Sequence, residues 1–330
     1  MTPNTTSKTE NQETHYSPVN LSMITGKGSK AFDIYYKTKT FGTTNFVKFA
    51  TSSPEHLHKL TKIIEEGDTD QEFYISEDDL FLYYEEATQS LRKMVSDPNV
   101  PFETKSKKIY SVSRDIMHEF FDNNASNKIL HSSESVMEIM DECLSSSAVG
   151  FYGITQITNK DYYTYTHSVN VGLYCMTYGI KSQMSPNDIK DLGVGGMLHD
   201  VGKSKIDLDI INKKGRLTDE EFDEIKKHTV YGEEILTSMQ CYGNSVICMA
   251  TSHHEQYDGK GYPKGLAKDE IELNARICKV MDVYDALTTK RSYKRAMSPI
   301  DALLLMNKEM KNHFDPSIVS SFIQLMGPGS

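Results

Sequence analysis

Seven side chains able to ligate a metal are strung along about a third of this chain: His167, His199, Asp200, His228, His253, His254 and Asp282. Imidazole nitrogen and carboxylate oxygen are the donors that borderline and hard divalent cations take, and seven are too many for one ion. The set suits two adjacent metals. A single helical histidine is more often a packed or solvated residue than a ligand, so His167 or His228 alone would say little. The adjacent pairs His199-Asp200 and His253-His254 say more, because each puts two ligand side chains where a helix ends and the backbone changes direction. Asp282 lies among Ile277, Val280, Met281, Val283 and Leu287, where an ionised carboxylate is costly unless it is paired or metal-bound.

The elements that must position these groups are mostly helices. SPNDIKDLGVGGMLHD opens with Ser185 as N-cap and Pro186 at the first helical position; Gly202 falls where a helix would stop, which puts His199 and Asp200 at its C-terminal end. LTDEEFDEIKKHTVYGEEILTSM begins with a capping box, Thr218 and Glu221, and reads as one helix with His228 in its interior. NARICKVMDVYDAL carries Asp282 within an amphipathic helix. Residues 148–330 are therefore expected to form an all-α domain. Ahead of it, residues 105–147 have helical spacing, with Ile109, Val112, Ile116 and Phe120 on one stripe, and read as a helical connector.

Residues 29–104 read as a small α+β domain: a hairpin within 31–50, a short helix at 54–67, EFYIS as a strand, then a helix that Ser76 could cap. His56 and His58 lie two apart on the short helix and point to different faces, so they make no ligand pair. Residues 1–28 are rich in Thr, Ser, Asn and Lys and read as a flexible tail. The fold class is thus an α+β N-terminal domain followed by an all-α helical bundle.

With 330 residues, 38% of them hydrophobic, and a net charge of -10, the chain is long enough for two domains and unsuited to binding DNA or RNA through their phosphate backbone. Local basic clusters could still hold a small phosphate ligand. No run of apolar residues has the length of a membrane helix and the N-terminus lacks a signal-peptide core, so no membrane association and a cytoplasmic location are expected. Five cysteines without a CxxC spacing argue against both a disulfide framework and a thiolate zinc motif.

Several strings carry a family resemblance. LHDVGKSKI at 198–206, HTVYGEEIL at 228–236 and HHEQYDGKGYPKGL at 253–266 resemble the HD-GYP family, a branch of the HD phosphohydrolases. RICKVMDVYDALTTKRSYKRAMS at 276–298 and HFDPSIV at 313–319 continue the match, which covers roughly residues 135–325 in the family's order and spacing.

The resemblance implies an HD-type helical domain holding two or three metals, commonly iron or manganese, that hydrolyses cyclic di-GMP. Carried onto matching positions, the metal ligands are the seven residues above, with Asp200 bridging the ions and a hydroxide between them as nucleophile. Lys203 matches the lysine of the HDxGK string, which reaches a phosphate oxygen, and is the main catalytic side chain expected. Arg291 and Lys294 match positions that contact substrate phosphates; a reading as plain surface charge carries real weight for Lys294 and less for Arg291. Gly259 and Gly261 allow a tight loop, and Pro263 restricts Tyr262 to an extended conformation, so that the loop presents Tyr262 to the ligand. Glu255 and Asp258 could orient ligand histidines.

Part of the family has a glutamate four residues before the first histidine that helps recruit a third metal. Here that residue is Tyr163, whose phenol stays protonated near neutral pH and ligates poorly, so two metals are expected. Two ions favour one cleavage, to linear pGpG, with further cleavage to GMP less favoured. Two alternatives stay open: a metal-bound cyclic di-GMP receptor without turnover, and a phosphodiesterase for cyclic GMP-AMP. The N-terminal domain is expected to regulate or to bind a second copy of the chain or a regulatory protein.

Overall fold

The computed structural model describes residues 15–24, 31–40, 43–50, 61–62, 72–122, 127–145, 164–213, 215–290 and 295–326. The chain divides into two units, Met1–Ser90 and Leu91–Ser330.

In the first unit, β1 (Tyr16–Val19), β2 (Ile34–Thr40), β3 (Thr43–Ala50) and β4 (Phe73–Ser76) form one antiparallel sheet in the order β1-β4-β2-β3. The expected hairpin is β2 and β3, paired from Ile34↔Ala50 to Thr40↔Thr43. β4 is central and buried along its whole length, between β1 and β2. β1 lies in the segment whose composition suggested a tail: its few apolar residues gain a partner strand, Tyr16↔Ser76 to Val19↔Phe73, and Met23 and Ile24 beyond it are buried. Pro18 is tolerated because β1 is a sheet edge. α1 (Leu80–Ser96) follows a turn of 3-10 helix at Glu77–Asp79, and Ser76 makes no side-chain capping bond there. The short helix expected at 54–67, with His56 and His58, lies almost wholly outside the described residues.

The described residues of the second unit are mostly helical. α2 (Phe102–Asp122) and α3 (Asn127–Ser145) belong to it and bury the expected stripe, with Ile109, Val112, Ile116, Val136 and Ile139 fully inside. α4 (Thr164–Lys181) is buried nearly all round and is the helix the others surround. α5 (Pro186–Leu198) starts as expected, with Ser185 Oγ accepting from the Asp188 N–H; a 3-10 turn, Val201–Lys205, and the short α6 (Leu208–Ile211) follow. The Thr218–Glu221 capping box opens α7 (Asp219–Lys226).

The long helix expected around His228 is in fact two, α7 and α8 (His228–Ser238), broken at Lys227. Two carbonyls at the break are claimed by side chains: His228 Nδ1 bonds to Ile225 O at 2.6 Å and Thr229 Oγ1 donates to Lys226 O at 2.9 Å. His228 therefore stands at a helix start rather than in an interior. α9 (Asn244–Ser252), α10 (Leu273–Thr288), α11 (Pro299–Lys308) and α12 (Pro316–Leu325) complete the bundle. Among the described residues no helix is long and apolar enough to cross a membrane, and all five cysteines are free thiols.

Candidate metal centre

The seven ligand candidates come from five places in the bundle and meet in its interior. α4 supplies His167, the end of α5 supplies His199 and Asp200, α8 supplies His228, the end of α9 supplies His253 and His254, and α10 supplies Asp282. They fall into two groups of mutually close ligand atoms: Asp200, His228, His253 and His254 in one, and His167, His199 and Asp282 in the other. Asp200 faces both. Its Oδ1 lies 3.4 Å from His228 Nε2 and 3.8 Å from His253 Nε2, while its Oδ2 lies 3.4 Å from His199 Nε2 and 3.9 Å from His167 Nε2.

Four rings are oriented in the same way, through Nδ1. His199 bonds to Gly196 O at 2.7 Å, His228 to Ile225 O at 2.6 Å, and His253 to Met249 O at 2.8 Å; His167 bonds to Asp285 Oδ2 at 2.7 Å. Carbonyl and carboxylate oxygens only accept, so each Nδ1 carries the proton and each Nε2 is turned towards the cluster. A neutral ring then presents a lone pair. His228 Nε2 and His253 Nε2 stand 3.4 Å apart in this manner, a repulsive pairing that a shared cation relieves. His199 Nε2 and Asp200 Oδ1 are buried without any hydrogen-bond partner. An orphaned imidazole nitrogen beside an orphaned carboxylate oxygen fits metal ligation and little else.

The two groups differ in how they hold protons. Burial opposes charge on His167, but hydrogen bonds to Asp282 and Asp285 prevail and raise it to about 9; its Nε2 lies 3.1 Å from Asp282 Oδ1. His199 is also raised, against burial, chiefly by Asp200. In the other group, burial brings His228 down to about 4 and holds His253 and His254 well below the usual histidine range. Burial also works against charge on Asp200 and Asp282. Even so, Lys203 and His199 keep Asp200 well below the carboxylate range, and His167 does the same for Asp282.

Lys203, one-fifth exposed, donates to Asp200 Oδ2 at 2.5 Å, so its ammonium stands at the rim of the cluster. Gly202 beside it is a close approach rather than a helix stop. A Cβ there would lie 1.9 Å from His228 O and 2.5 Å from Gly232 N. This contact seats the Asp200 turn on the start of α8.

The loop after His254 packs its tyrosine on a ligand. The Tyr262 ring stacks on His254 with centroids 4.7 Å apart and planes inclined by 18°, and burial, Asp200 and Asp282 keep its phenol protonated. The Tyr262–Pro263 bond is cis, not the simple extended step expected from Pro263. Gly261 is needed for proximity: a Cβ would lie 2.3 Å from the backbone of Glu255 and Gln256. Glu255 does not orient a histidine. Its oxygens accept from the N–H groups of Lys264, Gly265 and Leu266 at 2.7, 3.1 and 3.0 Å, so it clamps the loop instead. Asp258 is engaged with Lys260. Arg291, Lys294 and Tyr163 lie outside the described residues.

The ring-orienting acid is Asp285, which the sequence reading passed over. Fully buried, it accepts from His167 Nδ1, Asn170 Nδ2 at 2.9 Å and Thr289 Oγ1 at 3.1 Å, and the Tyr110 hydroxyl donates to Asn170 Oδ1 at 2.8 Å. The signal was there, since a second Asp three residues after Asp282 lies on the same helical face. Asp285→Ala is expected to weaken metal binding at the His167 group by roughly 10–100-fold and to leave the His228 group nearly unchanged. Metal titration of the variant checks this, and equal loss at both groups would contradict the assignment.

Residues 138–318 match the HD domain family. The chain is 34% identical over 197 residues to a cyclic di-GMP phosphodiesterase of Pseudomonas aeruginosa, a match covering 60% of this chain and 47% of that protein. It is 37% identical over 158 residues to 3'3'-cGAMP-specific phosphodiesterase 3 of Vibrio cholerae, covering 48% of this chain and 34% of that one. It is 37% identical over 142 residues to the response regulator RpfG of Xanthomonas campestris, a cyclic di-GMP phosphodiesterase, covering 43% and 38%. The chain thus spans less than half the length of each of these relatives. Its fold is that of a solved HDG"Y"P protein from Bdellovibrio bacteriovorus, with a TM-score of 0.64 at 17% identity over 94% of this chain and 99% of that one. The interior cluster of histidines and aspartates, the GYP loop stacked against it and the matched span together make the chain a member of the HD domain family, in its HD-GYP branch.

Proposed function

We propose that this chain is a metal-dependent phosphodiesterase that opens cyclic di-GMP to linear pGpG. The observation that carries the reading is Asp200, buried between two ligand groups with one oxygen turned to each. The names of the relatives in Pseudomonas and Xanthomonas support cyclic di-GMP as substrate, and that of the Vibrio relative keeps cyclic GMP-AMP as the second candidate.

Two divalent ions, iron or manganese, are the proposed cofactors, with Asp200 shared between them and His167, His199, His228, His253, His254 and Asp282 each serving one. When bound, such ions make a nucleophile of water near neutral pH and neutralise the charge that develops on a phosphodiester. The chain's own residues would do the rest. Lys203, whose ammonium stands at the rim of the cluster beside Asp200, would reach a non-bridging phosphate oxygen. Tyr262, held protonated, offers its hydroxyl to the ligand from the rigid 261–263 loop. Arg291 and Lys294 are assigned to the substrate phosphates from their places in the motif. The first unit, which has no ligand cluster among its described residues, is assigned a regulatory or partner-binding role.

The decisive experiment incubates reduced, metal-loaded protein with cyclic di-GMP and with cyclic GMP-AMP in parallel, with metal quantified on the same sample. Faster conversion of cyclic di-GMP to pGpG, with two metals per chain, is the expected result. Binding without linear product would make the chain a receptor, and three metals per chain would overturn the dinuclear assignment.

The proton inventory gives a pH expectation. In protein stripped of metal, His167 keeps its proton up to about pH 9, so a cation at the His167 group must displace it. Affinity there should fall about tenfold for each pH unit below that value, because one proton competes with the ion. The His228 ring is already neutral above about pH 4, so its group has no such handicap. Lowering the pH from 8 to 6 should therefore empty the His167 group first, checked by metal stoichiometry and by proton release in calorimetry. Parallel loss of both ions would refute it.

A further inference from the structure

A second cluster with metal-binding chemistry lies away from the buried centre. His131 and Glu134, three residues apart on one face of α3, stand with Cys241 so that one ligand atom from each lies within 4.8 Å of the others. His131 and Cys241 are exposed and Glu134 is half-buried. Cys241 is the exposed cysteine among four buried ones, in the turn between α8 and α9 that the chain enters through Gln240 at φ 55°.

Two neighbours hold the carboxylate in place. Burial and the neighbouring Glu134 carboxylate keep the Tyr242 phenol protonated, a donor at hand for that carboxylate. Lys190 gives its hydrogen bond to Glu138 at 2.8 Å and stays 3.7 Å from Glu134 Oε2, near enough to orient the group and too far to occupy it. Such outer contacts are what fix metal ligands.

We propose that His131, Glu134 and Cys241 form a zinc-class site, distinct from the buried centre, that staples α3 to the turn between α8 and α9. Thiolate, imidazole and carboxylate are the three ligand types zinc combines, and together they carry the two negative charges that a divalent cation neutralises. Tetrahedral bond lengths put zinc ligands roughly 3.3–3.8 Å apart, a closure from at most 4.8 Å that the exposed His131 and Cys241 side chains can make around Glu134. Three protein ligands leave one position for water. The buried centre is built from nitrogen and oxygen ligands, suited to harder cations. The thiolate selects a softer ion, so the two sites sort metals by ligand chemistry.

Cobalt(II), added as a zinc surrogate to the reduced full-length chain, tests this. Cobalt bound by a thiolate gives a near-ultraviolet charge-transfer band that nitrogen and oxygen ligands do not. With the buried centre first loaded with manganese, the band is expected to saturate at about one further equivalent, to vanish in Cys241→Ser, and to need roughly tenfold or more cobalt in His131→Ala. Circular dichroism and manganese binding at the buried centre should stay unchanged in both variants. No band in the parent protein, or a band that survives Cys241→Ser, overturns the proposal. The readout is independent of turnover, so it stands or falls apart from the phosphodiesterase reading.

Discussion

Asp200→Asn will leave the fold standing and remove the chemistry. Asn preserves the shape but not the charge, and only one of its two ends still offers an oxygen, so a group that now faces an oxygen of Asp200 loses it. Turnover is expected to drop on the order of 10³-fold or more, since ions of this kind contribute several kcal/mol at the transition state and each 1.36 kcal/mol is tenfold. The test is thermal as well as kinetic. Saturating manganese should raise the melting temperature of the parent chain, because ligand bound only by the folded state stabilises it. The same addition should hardly move the variant. Lys203→Ala is the companion: it should keep the metal-induced rise and lose turnover, which separates holding the ions from touching the phosphate. Loss of metals in Lys203→Ala, or their full retention in Asp200→Asn, would contradict the roles given to the two residues.

The second large effect needs a single methyl group. Gly202→Ala places a Cβ 1.9 Å from the carbonyl oxygen of His228, and the atoms it meets are backbone, which cannot swing aside as a side chain could. Relief requires the Asp200 turn to lift off the start of α8. Overpacking of this kind costs about 1–3 kcal/mol, sometimes more, and a unit of this size loses roughly 2–4 °C of melting temperature per kcal/mol. A fall of roughly 2–12 °C is expected, together with weaker metal binding, because the movement separates Asp200 from His228. Parent-like melting and metal content would show that the contact is not what positions the turn.

These two residues mark where sequence reading succeeds and where it stops. Asp200 is legible because its type, its neighbour His199 and its place at a helix end are all local. The same holds for the caps at Ser185 and Thr218, which act within three residues. Gly202 is visible as a glycine, but its reason is a carbonyl 26 positions later, brought close by packing. Glu255 reads as an acid beside two histidines, and only the folded loop reveals that three N–H groups have claimed it. The break at Lys227 is hidden for a related reason: helical periodicity runs straight through it, and side-chain bonds to two carbonyls decide otherwise. β1 was obscured by averaging, since four strand residues in a polar stretch barely alter its composition.

The four Nδ1 anchors are not equal in how the chain comes by them. His199, His228 and His253 lean on carbonyls three or four residues back, so each ring is aimed as soon as its own turn of backbone forms. His167 leans on Asp285, 118 positions away, and is aimed only once α4 has docked on α10. Assembly of the centre is thus staggered. One half is prepared by short-range folding, and the other waits for two helices far apart in the chain to dock. In the dinuclear site proposed above, a transient parting of α4 from α10 would loosen one ion while the other stayed held, and the exchange rate of that ion would serve as a clock for the motion.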